Sequence, residues 1–160
     1  MANLILWRHA EAEEFSANGL DADRLLTKNG RKDATKMAGW LNEYLPENTE
    51  ILCSPARRCQ ETATALNDSA NNKGKHEIKI ANFLSAESSV ELIAKKLINE
   101  DNNQTILVVG HQPNLGLLIA KLLGMQESAV VKKGAVWWLR QRLVNGVLQT
   151  YLFTVQHPDY

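Results

Sequence analysis

Apolar and polar positions along this chain follow two alternating rhythms, one of strands and one of helices. A short apolar run from Asn3 to Trp7 predicts a first strand. Ala34, Met37, Ala38, Leu41 and Leu45 then recur at three- and four-residue spacing, the buried face of a helix over Thr27 to Leu45. Thr27 supplies an N-capping hydroxyl, and Pro46 stops the pattern. Glu50 to Cys53 predicts a second strand. Ser54-Pro55 predicts an N-cap followed by proline at the first helical position, with the helix running to about Asn67. The polar stretch Asn67 to Lys75 reads as a surface loop. Glu77 to Ala81 is a weaker third strand, and Val90, Ile93, Ala94, Leu97 and Ile98 mark another amphipathic helix. Thr105 to Val109 is the β-branched run of a strand buried on both faces. Gly110-His111-Gln112-Pro113 turns the chain into an apolar helix ending near Gly124. Ala135 to Arg142 and Val147 to Val155 flank Asn145-Gly146, a dipeptide suited to the positive φ angles of a tight hairpin.

Strand-helix alternation predicts an α/β fold: a three-layer α/β/α sandwich with a mostly parallel sheet and a C-terminal antiparallel hairpin. Trp137 and Trp138 are neighbours on a strand, so they point to opposite faces and serve two cores. The 160 residues fit one domain over 1–160 with a full core.

Charge narrows the partners. Lys plus Arg and Asp plus Glu are both 18, so the chain carries no basic excess for nucleic acid or an anionic membrane. The apolar run Leu4 to Trp7 is too short for a signal sequence or a membrane span, which makes the cytoplasm the expected compartment. There Cys53 and Cys59 are expected as reduced, buried thiols. They lack both a metal-ligand pattern and the Cys-to-Arg spacing of a cysteine phosphatase. Nothing in the sequence demands more than a monomer.

Three strand-to-helix turns carry polar groups that a core would reject: Arg8-His9-Ala10, Ser54-Pro55-Ala56-Arg57-Arg58, and Gly110-His111-Gln112-Pro113. All three follow strands read as parallel, and ligands bind at that carboxyl edge of open α/β sheets. If those strands are neighbours, two arginines and two histidines gather with no carboxylate in the motifs themselves. Such a cluster is self-repelling unless an anion sits in its middle, and arginine forks match phosphate oxygens. A neutral His9 could attack phosphorus with one ring nitrogen while the other is held by a hydrogen bond. Arg8, Arg58 and His111 would then bind the phosphoryl oxygens. The motifs contain no carboxylate cluster for a metal, so neither metal nor other cofactor is expected. His76 and His157 lack such a context and are read as surface residues.

At these residues the sequence resembles the histidine phosphatase (phosphoglycerate-mutase-like) superfamily. The signature Arg-His-Gly appears as Arg8-His9-Ala10, and Arg-x-Leu-Thr-x-x-Gly as Arg24 to Gly30. Ser54, Pro55, Arg58 and Thr62 match a third element, and Val109-Gly110-His111 a fourth. The resemblance implies that His9 is the phosphorylated residue, that Arg8, Arg58 and His111 bind phosphate, and that Arg57 is peripheral. Three departures stand out. Ala10 replaces glycine, Glu61 stands where relatives often have glutamine, and Ala86 occupies the place of a glutamate proton donor, with Glu87 one position later as the possible acid.

An alcohol leaving group needs such an acid, worth about 10²–10⁴ in rate, whereas imidazole leaves far more readily. The short stretch after the third strand also leaves no room for a lid. Both features resemble SixA-type phosphohistidine phosphatases, and they imply a metal-independent phosphatase acting on a phosphohistidine-bearing protein such as a histidine-phosphotransfer domain. The competing readings are a small-molecule phosphomonoesterase, with Glu11, Glu13 or Glu87 as acid, and a phosphate- or phosphoprotein-binding module without turnover.

Overall fold

The most continuous apolar segment of the chain ends up at the centre of the structure. In the computed structural model, which describes residues 2–68, 75–98 and 103–159, every residue of Thr105–Gly110 is buried. This is strand β4, flanked by β1 (Ala2–Arg8) and β2 (Glu50–Cys53), with β3 (Ile78–Ile80) beyond β2. Strand β5 (Val136–Val144) lies on the other side of β1, and β6 (Val147–Gln156) completes the order β3-β2-β4-β1-β5-β6. The β1, β4, β2 and β3 strands are mutually parallel, while β5 runs antiparallel to both β1 and β6. Asn145 (φ 51°) and Gly146 (φ 79°) form the predicted tight turn between β5 and β6.

Helices α1 (Lys28–Tyr44), α2 (Arg57–Asp68), α3 (Val90–Leu97) and α4 (Asn114–Leu123) cover the sheet. Two apolar clusters result. One joins Ile5, Trp7, Leu107 and Trp138 to Met37, Leu41 and Leu66 of α1 and α2. The other joins Leu6, Val108 and Leu139 to Ile93, Leu97, Leu118 and Ile119 of α3 and α4, with Trp137 packed against it. The adjacent tryptophans therefore do serve opposite cores, as pleat geometry requires. No helix among the described residues is long and apolar enough to cross a membrane.

Several boundaries differ from the sequence-based expectation. Helix α2 begins at Arg57, not at Ser54-Pro55. The Ser54 hydroxyl is engaged elsewhere, 2.8 Å from His111 Nε2, and reaches the Ala56 N–H at only 3.3 Å. The same helix extends through Asp68, so the expected loop over Asn67 to Lys75 loses its first two residues to α2, and 69–74 lie outside the described residues. The third strand is shorter than its apolar pattern, covering only Ile78–Ile80. A short 3-10 turn at Asp21–Asp23 was not expected at all. His76 is not a plain surface residue: it is half-buried, with its Nε2 2.7 Å from Asn42 Oδ1.

Thr27 caps α1 as expected, its Oγ1 accepting from the Gly30 N–H at 2.9 Å. The same threonine donates its backbone N–H to the Glu11 carbonyl and its hydroxyl to the Glu11 carboxylate. This clasp ties the helix to the segment that follows β1. A methyl group on Gly30 would be driven into the Glu11 carbonyl oxygen. Gly30→Ala should therefore lower stability by about 1–3 kcal/mol, the usual range for overpacking, read as a lower urea midpoint with an unchanged slope.

Candidate active site

The register of the parallel strands sets the site. Arg8 pairs with Gly110 across β1 and β4, and Cys53 pairs with Val109 across β2 and β4. The next residues on these strands, His9, His111 and Ser54, therefore leave the sheet within one residue of the same level, His9 beside His111 and Ser54 one step before them. Helix α2 brings Arg58, its second residue, to that level. The structure thus brings together Arg8, His9, Arg58 and His111. Arg57, read as peripheral, points to solvent, while Arg58 is buried.

His9 and His111 lie with ring centroids 5.4 Å apart, at 62° to each other. His9 Nδ1 is 2.7 Å from the Ala10 carbonyl oxygen. A carbonyl only accepts, so Nδ1 carries the proton and Nε2 keeps its lone pair uncommitted among the described residues. In His111 the order is reversed. Arg58 Nη2, which only donates, stands 3.3 Å from His111 Nδ1, so the proton sits on Nε2 and is directed at Ser54 Oγ. Burial pushes the His9 imidazole down to about 3, with repulsion from His111, Arg58 and Arg8 adding to it. Burial, then Arg58, pushes His111 down to about 4, against the opposing pull of Asp21 and Glu87. Both rings are neutral at pH 7.

The arginines are held from behind. Arg8 Nη1 donates to the Val131 carbonyl at 2.9 Å. The segment carrying Val131 is itself fastened to the end of β1: Gly134 N–H donates to the His9 carbonyl, and Trp7 Nε1 donates to the Gly134 carbonyl. Arg58 Nη1 and Nη2 donate to the backbone carbonyl and the carboxylate of Asp21, at 2.9 and 3.1 Å. The Nε–H groups of both arginines are buried without a hydrogen-bond partner among the described residues. Buried donors are seldom left unpaired, and two of them on cations at one spot suit an anion.

Asp21 is the functional residue that motif reasoning missed. Its carboxylate bridges Arg58 and Arg24, the latter through Nε at 2.9 Å. Burial alone would raise this carboxyl, but Arg58 and Arg24 outweigh it and hold it below the ordinary carboxylate range. The available signal was its place three residues before Arg24, a spacing at which opposite charges meet on one turn.

Other singled-out residues find simpler roles. Ala10 is fully buried and has no positive φ, so the absent glycine costs no strain. Glu61 Oε1 accepts from the Leu26 N–H at 2.8 Å, a contact either a carboxylate or an amide oxygen can make. Glu11 accepts from the Thr27 hydroxyl and supports the clasp described above. Glu87 is exposed at the rim, on a loop pinned by Asn114 Nδ2 to the Ser85 and Ala86 carbonyls. Glu13 lines a separate cleft of about 270 Å³ with Phe15 and Arg57. Both cysteines are free and buried. Burial pushes the Cys59 thiol up to about 12, so it stays protonated 3.6 Å from His111 Nε2. Among the described residues no group of three or more His, Cys, Asp or Glu is placed to hold a metal ion.

The buried neutral histidines make stability depend on pH. The unfolded chain protonates each near its ordinary value of 6.5, the folded chain only near 3 or 4. The unfolded state thus binds more protons in this window, and stability falls as pH drops below about 6.5. The expected slope approaches roughly 1.4 kcal/mol per pH unit for each ring. Urea unfolding between pH 7 and 5 measures it, and His9→Asn with His111→Asn should flatten it.

Residues 4–84 match the Histidine phosphatase superfamily (branch 1). The chain is 28% identical over 134 residues to the phosphohistidine phosphatase SixA homolog of Haemophilus influenzae, covering 78% of this chain and 79% of that protein. It is 29% identical over 121 residues to phosphohistidine phosphatase SixA of Escherichia coli, covering 74% and 73%. Its fold superposes on the structure of the protein histidine phosphatase SixA complexed with tungstate with a TM-score of 0.82, at 23% identity, covering 98% of this chain and 97% of that one. With the sequence match spanning half its length and the fold agreeing throughout, this chain belongs to branch 1 of the histidine phosphatase superfamily.

Proposed function

We propose that the protein is a metal-independent phosphohistidine phosphatase, with His9 as nucleophile and Arg8, Arg58 and His111 as the phosphate pocket. The observation that carries this reading is the His9 hydrogen bond to Ala10, which leaves Nε2 free as the attacking atom inside a cationic cage. Nε2 attacks phosphorus as the substrate N–P bond breaks and the substrate imidazole leaves with that electron pair; Nδ1 keeps its proton, so the ring becomes a phosphoimidazolium whose N–H the Ala10 carbonyl accepts. The guanidiniums neutralise the charge on the transferring oxygens, and being fixed beforehand they need little reorganisation. Water then attacks phosphorus, His9 leaves as a neutral imidazole, and inorganic phosphate departs.

Similarity to SixA proteins supports a phosphohistidine substrate. No side chain at the Ala86 position can protonate an alcohol leaving group. An imidazole leaving group does not need that help. A histidine on a partner, such as a histidine-phosphotransfer domain in the cytoplasm, is a fitting donor. A monomer suffices for this chemistry.

His9→Ala should abolish phosphate release and labelling of the protein by a phosphohistidine donor. Arg8→Ala and Arg58→Ala should each cost about 10²–10³ in kcat, as other lost transition-state donors do. Steady-state rates on a phosphohistidine protein, a sugar phosphate and an aryl phosphate, measured side by side, give the test. Undiminished turnover in His9→Ala would overturn the mechanism, and a preference for the sugar phosphate would favour a phosphomonoesterase.

A further inference from the structure

The charges of the site are ordered by depth. Its floor is cationic, with Arg58 only 3% exposed beside the two histidines. Its rim is anionic. The Asp21 side chain is 61% exposed while its Oδ2 holds Arg58 Nη2 at 3.1 Å. Glu87 is exposed on the pinned loop after β3 and, like Asp21, acts on His111 in favour of its charged form. Plus within and minus outside is a poor arrangement for an ordinary phosphomonoester, whose phosphate must pass two carboxylates. It matches a ligand that is negative at the inner end and positive behind it.

A phosphohistidine protonated on the ring nitrogen away from phosphorus has that order. The phosphoryl end is anionic, and the imidazolium N–H behind it is cationic. Protonation is also what makes the ring a good leaving group: the N–P bond breaks, its electron pair stays on nitrogen, and a neutral imidazole departs with its proton in place. The protein already supplies this support on its own side, where the Ala10 carbonyl accepts the His9 Nδ1 proton. The incoming ring needs an equivalent acceptor, and the rim carboxylates are the acceptors at hand.

We infer that Asp21 and Glu87 form an acidic collar that accepts the hydrogen bond from the distal N–H of a protonated phosphoimidazole and so selects N–P over O–P substrates. This rests on the phosphohistidine phosphatase reading and deepens it. It also reverses the role expected of Glu87: an ionised acceptor rather than a proton donor. Asp21 keeps its carboxylate beside two arginines, and each oxygen, used once by Arg24 or Arg58, retains a second lone pair.

The test compares a phosphohistidine peptide with an aryl phosphate for the wild type, Asp21→Asn, Glu87→Gln and the double variant. Asparagine keeps one acceptor oxygen for Arg58 Nη2, and the backbone carbonyl that aims Arg58 is unchanged, so the charge and the Arg24 contact are what is removed. In the double variant kcat/KM on the peptide should fall by about tenfold or more, the scale of a hydrogen bond to a charged group. On the aryl phosphate it should rise, because repulsion at the mouth is relieved. The alkaline limb of kcat on the peptide should shift to lower pH by about one unit, as expected when a neighbouring opposite charge is lost. Damage to the pocket would lower both substrates together. That outcome, or an unmoved ratio in variants of an active wild type, overturns the collar alone. A wild type that releases no phosphate from the peptide overturns the reading beneath it.

Discussion

Parallel pairing of β1, β4 and β2 in level register is the constraint on which the site depends. Arg8 opposite Gly110 and Cys53 opposite Val109 bring three chain segments off the sheet together. Because side chains alternate faces, a slip of one residue would exchange the two helix-covered faces and carry the site residues out of level. The buried run Thr105–Gly110 prevents that slip, since both its faces are occupied by packed side chains. Hydrophobic packing of the centre and placement of the polar edge are therefore one event.

Around that edge the structure resolves a conflict. Cations gathered in a buried place repel one another and lose hydration. Part of the strain is removed by keeping both imidazoles neutral, and part by backbone carbonyls of Ala10, Val131 and Asp21 that accept from the ring and the guanidiniums. Among the described residues, the carboxylate of Asp21 supplies the full negative charge in contact with the arginine on the floor. Fixed carbonyls hold each group without cancelling its charge, so the cage remains available to an anion.

Much of this was legible in the sequence. The periods of two and 3.6 marked the strands and helices, and the polar turns after Trp7 and Val109 marked the edge where the two histidines leave the sheet. What escaped was contributed by tertiary contact. Ser54 carries the signature of a helix cap, but a histidine far along the chain takes its hydroxyl, and α2 starts later. Asp21 sits in a polar stretch without periodicity, so nothing local ties it to Arg58 on another element. Glu61 looked like a departure from its relatives, yet the Leu26 N–H asks only for an oxygen.

The segment from Val131 to Gly134 has one more consequence. It is the entry to the β5–β6 hairpin, and it grips Arg8, His9 and Trp7 at once. The antiparallel third of the sheet is thereby tied to the cage: displacement of the hairpin is transmitted to the guanidinium of Arg8 and to the backbone of His9. A substitution that shifts that remote ribbon therefore shifts Arg8 as well, with no contact to the cage itself.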